Sequence, residues 1–549
     1  MEIYKKSFHN FMKHRLLAVI IPAFTLYHIM VIVVEYYEII GQGYPVLEYT
    51  RRLLMIAPQI LVLYLVISYE YFSEAGRNNL EETIEATGRG YTNKHKLAMM
   101  LVMFTILFLH YVCFVLFDIV ITRTDLYLNG VQDAGNQGAI HIIQVLFLNF
   151  FMIGSIGILI GFLISGIKRR ITAYATMMAV IFITSYLLNE VATLLMILTD
   201  YSFNLFEILD FMSIMPRGLS FSINNSFGFS MSLKRISIIV FWNALLLLVI
   251  MLLYSRKKKA LKAVICSIIC ISSMGFYTIP ISELDTSLNS KGSTMADQHY
   301  YNIKGYTMEE EAADFAIKEY KLDLDTRLLL KADVSMAVTE SLEEYKFTLS
   351  HSYKVSEVCD QDGNPLKYKQ HKDELSVYSG GEKITKISMK YEGASEAFYS
   401  NMQGINLPGN FPYYPVPGRK RITEDGQFMN NVFLDEKADF DLKIKSGKEI
   451  HTNLKKIKEG HYTGSTTGVS IYSGMYEEYT CDGITIVYPY LIGWNKEALD
   501  EIVQAVKKEY DTVKVFSGPN VNKQIGALCD DQIITTGYLS DLDNLRENY

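Results

Sequence analysis

Chemistry in this chain would have to come from few groups, and the two commonest arrangements for it are absent. None of the eleven histidines has a second four positions on with glutamate between, the His-Glu-x-x-His pattern that holds zinc beside a general base. The histidines of the second half, His299, His351, His371, His451 and His461, all stand alone. There is also no Gly-x-x-x-x-Gly-Lys-Ser/Thr run to cradle nucleotide phosphates. Of six cysteines, Cys113, Cys266 and Cys270 fall in apolar stretches, while Cys359, Cys481 and Cys529 fall in the polar half. That odd number leaves at least one of the latter unpaired, and no spacing reads as a metal site. Asp360, Asp362 and Asn364 alternate as calcium ligands do, but no glutamate closes the loop twelve positions from the first, so a plain turn is expected. What remains are polar groups in apolar surroundings: His28, Glu35, His110, Asp118, Asn149 and the pair Asn189-Glu190. Such groups are costly at membrane depth and mark either a polar path or a structural pairing. Glu35 and Asp118 are expected near outer ends, reaching the headgroups, while His110, Asn189 and Glu190 lie deeper.

The elements that must hold these groups divide the 549 residues into two halves. Up to about residue 280, apolar runs alternate with short polar connections. Beyond it charge is frequent and nothing could span a bilayer, which needs about 20 apolar residues of helix. Seven spans are expected, at 16–39, 53–71, 97–122, 140–166, 172–198, 236–254 and 261–279. Basic residues gather before the first (Lys5, Lys6, Lys13, Arg15), after the second (Arg77, Arg89, Lys94, Lys96), after the fourth (Lys168, Arg169, Arg170) and after the sixth (Arg256, Lys257, Lys258, Lys259). Placing all four clusters in the cytoplasm puts the amino terminus inside and the second half outside a cell membrane. Arg51, Arg52, Lys234 and Arg235 are exceptions. Spans six and seven folding as one interfacial hairpin would instead leave the second half inside. The net charge of −7 mixes two environments and points to no nucleic acid.

Three segments of the first half stand out. Tyr4, Phe8, Phe11 and Met12 recur at helical spacing among lysines, an interfacial amphipathic helix over 1–15. Gly154, Gly157, Gly161 and Ser165 make a small-residue face for close helix packing, within the chain or between subunits. Between the second and third spans, Leu80, Thr83, Ile84 and Thr87 share one face beside Glu81, Glu82 and Glu85, before Gly88 and Gly90 break the helix. A short acidic helix of this kind suits docking on another protein, though a solvated loop helix fits the residues equally.

That last run, with Glu74, Gly76, Leu80-Glu81, Thr87, Arg89 and Lys96, resembles the segment that precedes the third span in type 2 ATP-binding-cassette (ABC) permeases. The order of the neighbouring motifs resembles that family across residues 1–256. The resemblance implies a coupling helix over residues 74–90 that rests in a groove of a separate ATPase subunit, and a second permease half, identical or not. This chain would carry no cofactor of its own, ATP being bound on the partner. Gly88 stands where the family commonly has proline.

In the second half, period-two alternation marks strands: Leu330, Ala332, Val334, Met336 and Val338 occupy every second position, and Phe440, Leu442 and Ile444 do so later. A two-sheet β domain over 316–490, its second sheet running from Phe433 to Tyr488, is expected after a linker at 282–315. A tail at 491–549 opens with a helix capped by Asn495 and striped by Leu499, Ile502, Val503 and Val506. The runs VSEVCDQDGNPLKY, KYEG, NFPYYP and YTCDGITIVYP resemble the amino-terminal β domain of zinc aminopeptidases of the aminopeptidase N and leukotriene-hydrolase kind. On that resemblance the catalytic part is missing, and Cys529 of Gly526-Ala527-Leu528-Cys529-Asp530 replaces the glutamate of the family's substrate-amine loop. The domain is then a non-catalytic module, with Phe411, Tyr413 and Tyr414 either a rigid loop between sheets or a surface for a peptide. Together the residues point to an exporter subunit, 16–256 forming the permease and 257–281 a seventh span. A membrane-anchored peptide sensor or half of a split aminopeptidase stays open.

Overall fold

The computed structural model describes residues 2–39, 47–77, 89–128, 135–185, 187–198, 211–212, 214–215, 223–254, 259–278, 308–395, 398–424, 428–429, 431–518, 527–529 and 531–535. The chain forms two compact units: Met1–Ile223 with Met231–Ile279, and Asn224–Ser230 with Pro280–Tyr549.

The first unit is helical. Its elements are α1 (Glu2–Lys13), α2 (Arg15–Ile39), α3 (Glu48–Leu54), α4 (Ala57–Arg77), α5 (Arg89–Leu128), α6 (Gly135–Leu146), a π-helical turn (Phe147–Met152), α7 (Ile153–Ile164), α8 (Arg170–Thr184), α9 (Leu187–Leu198), α10 (Leu233–Tyr254) and α11 (Lys259–Thr278). Among the described residues, six stretches are long and apolar enough to cross a membrane, the last two being Leu233–Tyr254 and Ala260–Thr278. The span expected at 172–198 is not one of them. Its helix stops at Ser185, which is extended, and the Thr184 carbonyl accepts the amide of Met215 instead of the next turn. Irregular backbone of this kind is tolerated at depth only where protein satisfies it, as here.

The smallest residues set the tightest packing. A Cβ on Gly157 would stand 2.7 Å from the Leu61 carbonyl oxygen, and one on Gly154 2.6 Å from a Leu107 methyl. Gly157 and Gly161 thus bring α7 against the backbone of α4 in the same chain, and Ser68 of α4 donates to the Ile158 carbonyl at 2.9 Å. Ser165 ends the helix and turns its hydroxyl back to Phe162.

The second unit is mainly β, with more sheets than the two expected. Its largest sheet has seven strands in the order Lys455–Lys458, His461–Thr466, Ala438–Lys445, Ile317–Asp325, Leu330–Val338, Lys386–Gly393 and Tyr353–Cys359. Ala438–Lys445 does not start a separate sheet: it lies parallel to Ile317–Asp325, Leu322 opposite Leu442. Both strands then turn their alternate apolar residues into one core. Sheets of four, three, two and five strands complete the unit. The five-stranded one carries α12 (Lys496–Lys507), whose first turn is capped by Asn495 accepting from the Ala498 amide at 2.9 Å. Its stripe of Leu499, Ile502, Val503 and Val506 is buried on that sheet. The run from Cys359 is the turn its sequence dictates, with Asp360 accepting from the Asp362 and Asn364 amides and from the Asn364 side chain.

Candidate functional site

At one end of the helical unit, α1 is fixed to α4 and α5. Tyr4 donates to the Thr105 hydroxyl at 3.1 Å, Tyr71 donates to the Ser7 carbonyl at 2.9 Å, and Phe11 meets the Tyr71 ring edge-on at 5.2 Å. Lys5, Lys6, Met12 and Lys13 remain exposed. An amphipathic helix therefore has its aromatic stripe on the bundle and its lysines outward. Where α1 ends, the ring of His14 lies 3.1 Å from the Glu74 carboxylate. One turn earlier on α4, Glu70 accepts from Tyr174 of α8 at 2.5 Å. Gly76 follows in the last turn of α4. Leu80, Glu81, Glu82, Ile84 and Glu85 lie outside the described residues.

The interior polar groups are less connected than the sequence allowed. His110 of α5 bonds through Nδ1 to the Tyr64 hydroxyl at 3.0 Å, while its Nε2, buried among the rings of Phe24, Phe114 and Phe150, has no hydrogen-bond partner among the described residues. Two turns along the same helix face lies Asp118. Rather than reaching the headgroups it is fully buried: Oδ1 accepts from Thr122 at 3.3 Å, and Oδ2 has no hydrogen bond within 3.5 Å among the described residues. The i, i+4 spacing of residues 110, 114, 118 and 122 turns this carboxylate into the bundle, and hydropathy alone does not reveal that. Asn189 and Glu190 belong to α9, and nothing is described of their side chains. Asn149 donates to the Val145 carbonyl of its own helix.

Sequence reasoning missed Asn243, a lone amide in the middle of α10. It accepts from Ser155 and donates to the Met152 and Ile239 carbonyls at 3.2 and 2.9 Å. It thereby satisfies the exit of the π-helical turn, a site where backbone groups fall out of the regular ladder. Two of the four basic exceptions are also accounted for. Arg51 and Arg52 both clasp Glu48, and Arg52 stands 3.6 Å from Glu35, so this end carries little net positive charge.

In the second unit, Phe411, Tyr413 and Tyr414 are core residues, not a surface. The Tyr413 hydroxyl donates to the Val469 carbonyl at 2.8 Å, and the neighbouring Tyr320 and Tyr391 donate to the carbonyls of Pro415 and Tyr413. The loop is rigid because its main chain anchors a buried cluster of phenols. His351, His451 and His461 each face a different carboxylate: Asp373 in a turn, and Glu478 and Asp441 on two separate strands. No group of three or more potential metal ligands occurs among the described residues. Glu478 is gripped by His451 at 2.9 Å and Lys514 at 2.9 Å; the histidine hydrogen bond, then the lysine charge, hold its carboxyl down at about 2. Ala527–Cys529 forms an edge strand against Gln532–Thr535, while Gly526 and Asp530 lie outside the described residues.

The second unit also contains a piece of the first half. Residues Asn224–Ser230 make a tight turn closed by the Asn224 and Gly228 backbones, and Phe227 meets Tyr399 edge-on at 5.4 Å. Ser226 bonds the Tyr476 hydroxyl at 2.8 Å, and its carbonyl accepts the Met475 amide at 2.7 Å.

No protein-family model and no curated protein matches the chain. Solved structures do. Yeast leukotriene A4 hydrolase in complex with bestatin matches with a TM-score of 0.30 and 13% identity over 41% of this chain and 40% of that one. The M1 zinc metallopeptidase from Deinococcus radiodurans matches at 0.27 and 13% over 42% and 62%. The chain thus spans about two fifths of the hydrolase and three fifths of the metallopeptidase. At this overlap the similarity is of partial fold and says nothing of activity. The chain is a membrane protein by its six apolar helices, with a mainly β domain attached.

Proposed function

We propose that this chain is the transmembrane subunit of a bacterial ABC exporter, driven by a separate ATPase and paired with a second permease half. Its β domain is a non-catalytic module outside the cell membrane. The observation that carries the reading is the joint between α1 and α4. The segment expected to receive the ATPase follows the last turn of α4, where Glu74 is held by His14 just past α1, while Phe11 and Tyr71 lock the two helices one turn above. A push on that segment reaches α4, and α4 meets α7 backbone to backbone at Gly157 and Gly161 with no compressible side chain between. ATP binds on the partner, and this subunit turns its closure into helix movement.

The placement of the β domain outside takes α8 and α9, broken at Ser185, together as one further crossing, which brings the basic residues of 255–259 between α10 and α11 to the cytoplasmic side with the other basic clusters. The test is co-purification of the ATPase with the full chain from membranes. The double reversal Glu81→Lys/Glu82→Lys is expected to abolish recovery of the ATPase without lowering the amount of subunit. Undiminished recovery overturns the docking assignment.

A further inference from the structure

The β domain is completed by seven residues that precede α10 in sequence. Asn224–Ser230 is seated there at every level. Ser226, Phe227 and Phe229 are almost wholly buried. The Asn224 side chain accepts the Ser226 amide at 2.8 Å, and Gln403 donates to the Phe229 carbonyl at 3.1 Å. The seat is made for a close backbone. Gly474 has φ +139°, and a Cβ there would stand 2.3 Å from the Ser226 carbonyl oxygen, so only glycine lets the clip approach.

The chain leaves this clip and enters a membrane-length helix almost at once. Ser230 is followed by Met231, which packs with the core of the helical unit, and by Ser232, whose hydroxyl accepts the Arg235 amide and caps α10. Two residues reach about 7 Å at full extension, so the link has little slack. The chain also passes between the units at Ile223–Asn224 and, at the other end of α11, through residues 279–307, a much longer stretch. α10 and α11 pack along one another, with Cys266 of α11 against Met251 of α10.

We propose that Asn224–Ser230 is the coupling element through which the β domain governs the α10–α11 hairpin. The clip belongs to the compact unit of the β domain, and a shift of that domain pulls on the capped start of α10 two residues away. It follows that residues 224–230 and the β domain share one face of the membrane, whichever face that is. The inference stands independently of any ATPase partner.

The chain has two tryptophans, Trp242 on α10 and Trp494 in the β domain. In a Trp494→Phe background, Trp242 alone reports on α10, where its indole donates to the Phe211 carbonyl at 2.9 Å. The full chain in lipid nanodiscs is compared with Phe227→Ala, Gly474→Val and, as a control elsewhere in the β domain, Asn495→Ala. Deuterium exchange at the amides of 226–229 and 475 reads the clip. Losing the buried ring is expected to speed that exchange on the order of 100-fold and to shift the Trp242 emission, while Asn495→Ala does neither. Should Gly474→Val unfold the β domain, Phe227→Ala decides by the same two readings. Released clip amides with an unmoved Trp242, or clip amides already unprotected in the parent, overturn the proposal.

Discussion

Gly161 and Leu65 define the closest approach in the helical unit: a Cβ on the glycine would stand 2.5 Å from the leucine carbonyl oxygen, and 2.8 Å from the Ser68 Cβ. A backbone cannot step aside as a side-chain tip can. Gly161→Val is therefore expected to destabilise the helical unit by about 1–3 kcal/mol, the usual cost of overpacking. Gly138, on α6 with nothing within 4 Å of its would-be Cβ, is the control. Gly138→Ala should be neutral or stabilise by up to about 1 kcal/mol. Thermal unfolding in detergent, followed by exposure of buried Cys266 to a thiol dye, separates the two.

Asn243 ties α10 to the π-helical turn. Replacing it with leucine takes the amide donor from the Met152 carbonyl and leaves the Ser155 hydroxyl only its bond to that same carbonyl, at a cost of about 1–3 kcal/mol. Asn243→Leu should lower the unfolding midpoint in detergent, and adding Ser155→Ala should lower it further, because the Met152 carbonyl then loses the hydroxyl as well.

Glu478 makes the β domain sensitive to acid. Its carboxyl titrates near 2 when folded, against 4.5 when free. A depressed carboxyl contributes stability that is full above the free value and disappears as pH falls from about 4.5 to about 2. With the side chain 39% exposed, solvent screening reduces the contribution to about 1–2 kcal/mol. In a Trp242→Phe background, Trp494 reports unfolding of the β domain. Glu478→Gln should flatten the loss of stability across that window and leave the remaining pH profile in place.

Much of this architecture was legible beforehand, and the exceptions share a cause. Local patterns read well. The alternation at Leu330–Val338 is a strand with its apolar residues inward, and Asn495 with the stripe Leu499, Ile502, Val503 and Val506 is a capped helix on a sheet. What escaped depends on partners distant in sequence. Ala438–Lys445 looks the same from its own residues whether it opens a new sheet or lies parallel to Ile317–Asp325 in an old one. Thr184 ends its helix because Met215 supplies the competing amide. Asp118 reads as a residue near the headgroups until the neighbouring helices close over it. Phe411, Tyr413 and Tyr414 read from sequence as a rigid packed loop or, less readily, a binding surface, and Val469 decides for the core by receiving the Tyr413 hydroxyl.

Because that hydroxyl serves packing, Tyr413→Phe should cost about 1–2 kcal/mol in stability of the β domain, the Val469 carbonyl losing its partner. Unfolding by denaturant, read by Trp494, checks this.

The account's central claim is that the segment after Glu74 receives an ATPase. A photo-crosslinking residue installed at position 84 of the full chain, in intact cells of the native host, tests it most directly. The predicted product is a covalent adduct with a nucleotide-binding ATPase, absent when Glu81 and Glu82 are both reversed to lysine. Crosslinks to lipid or to this chain alone, with none to an ATPase, would contradict it.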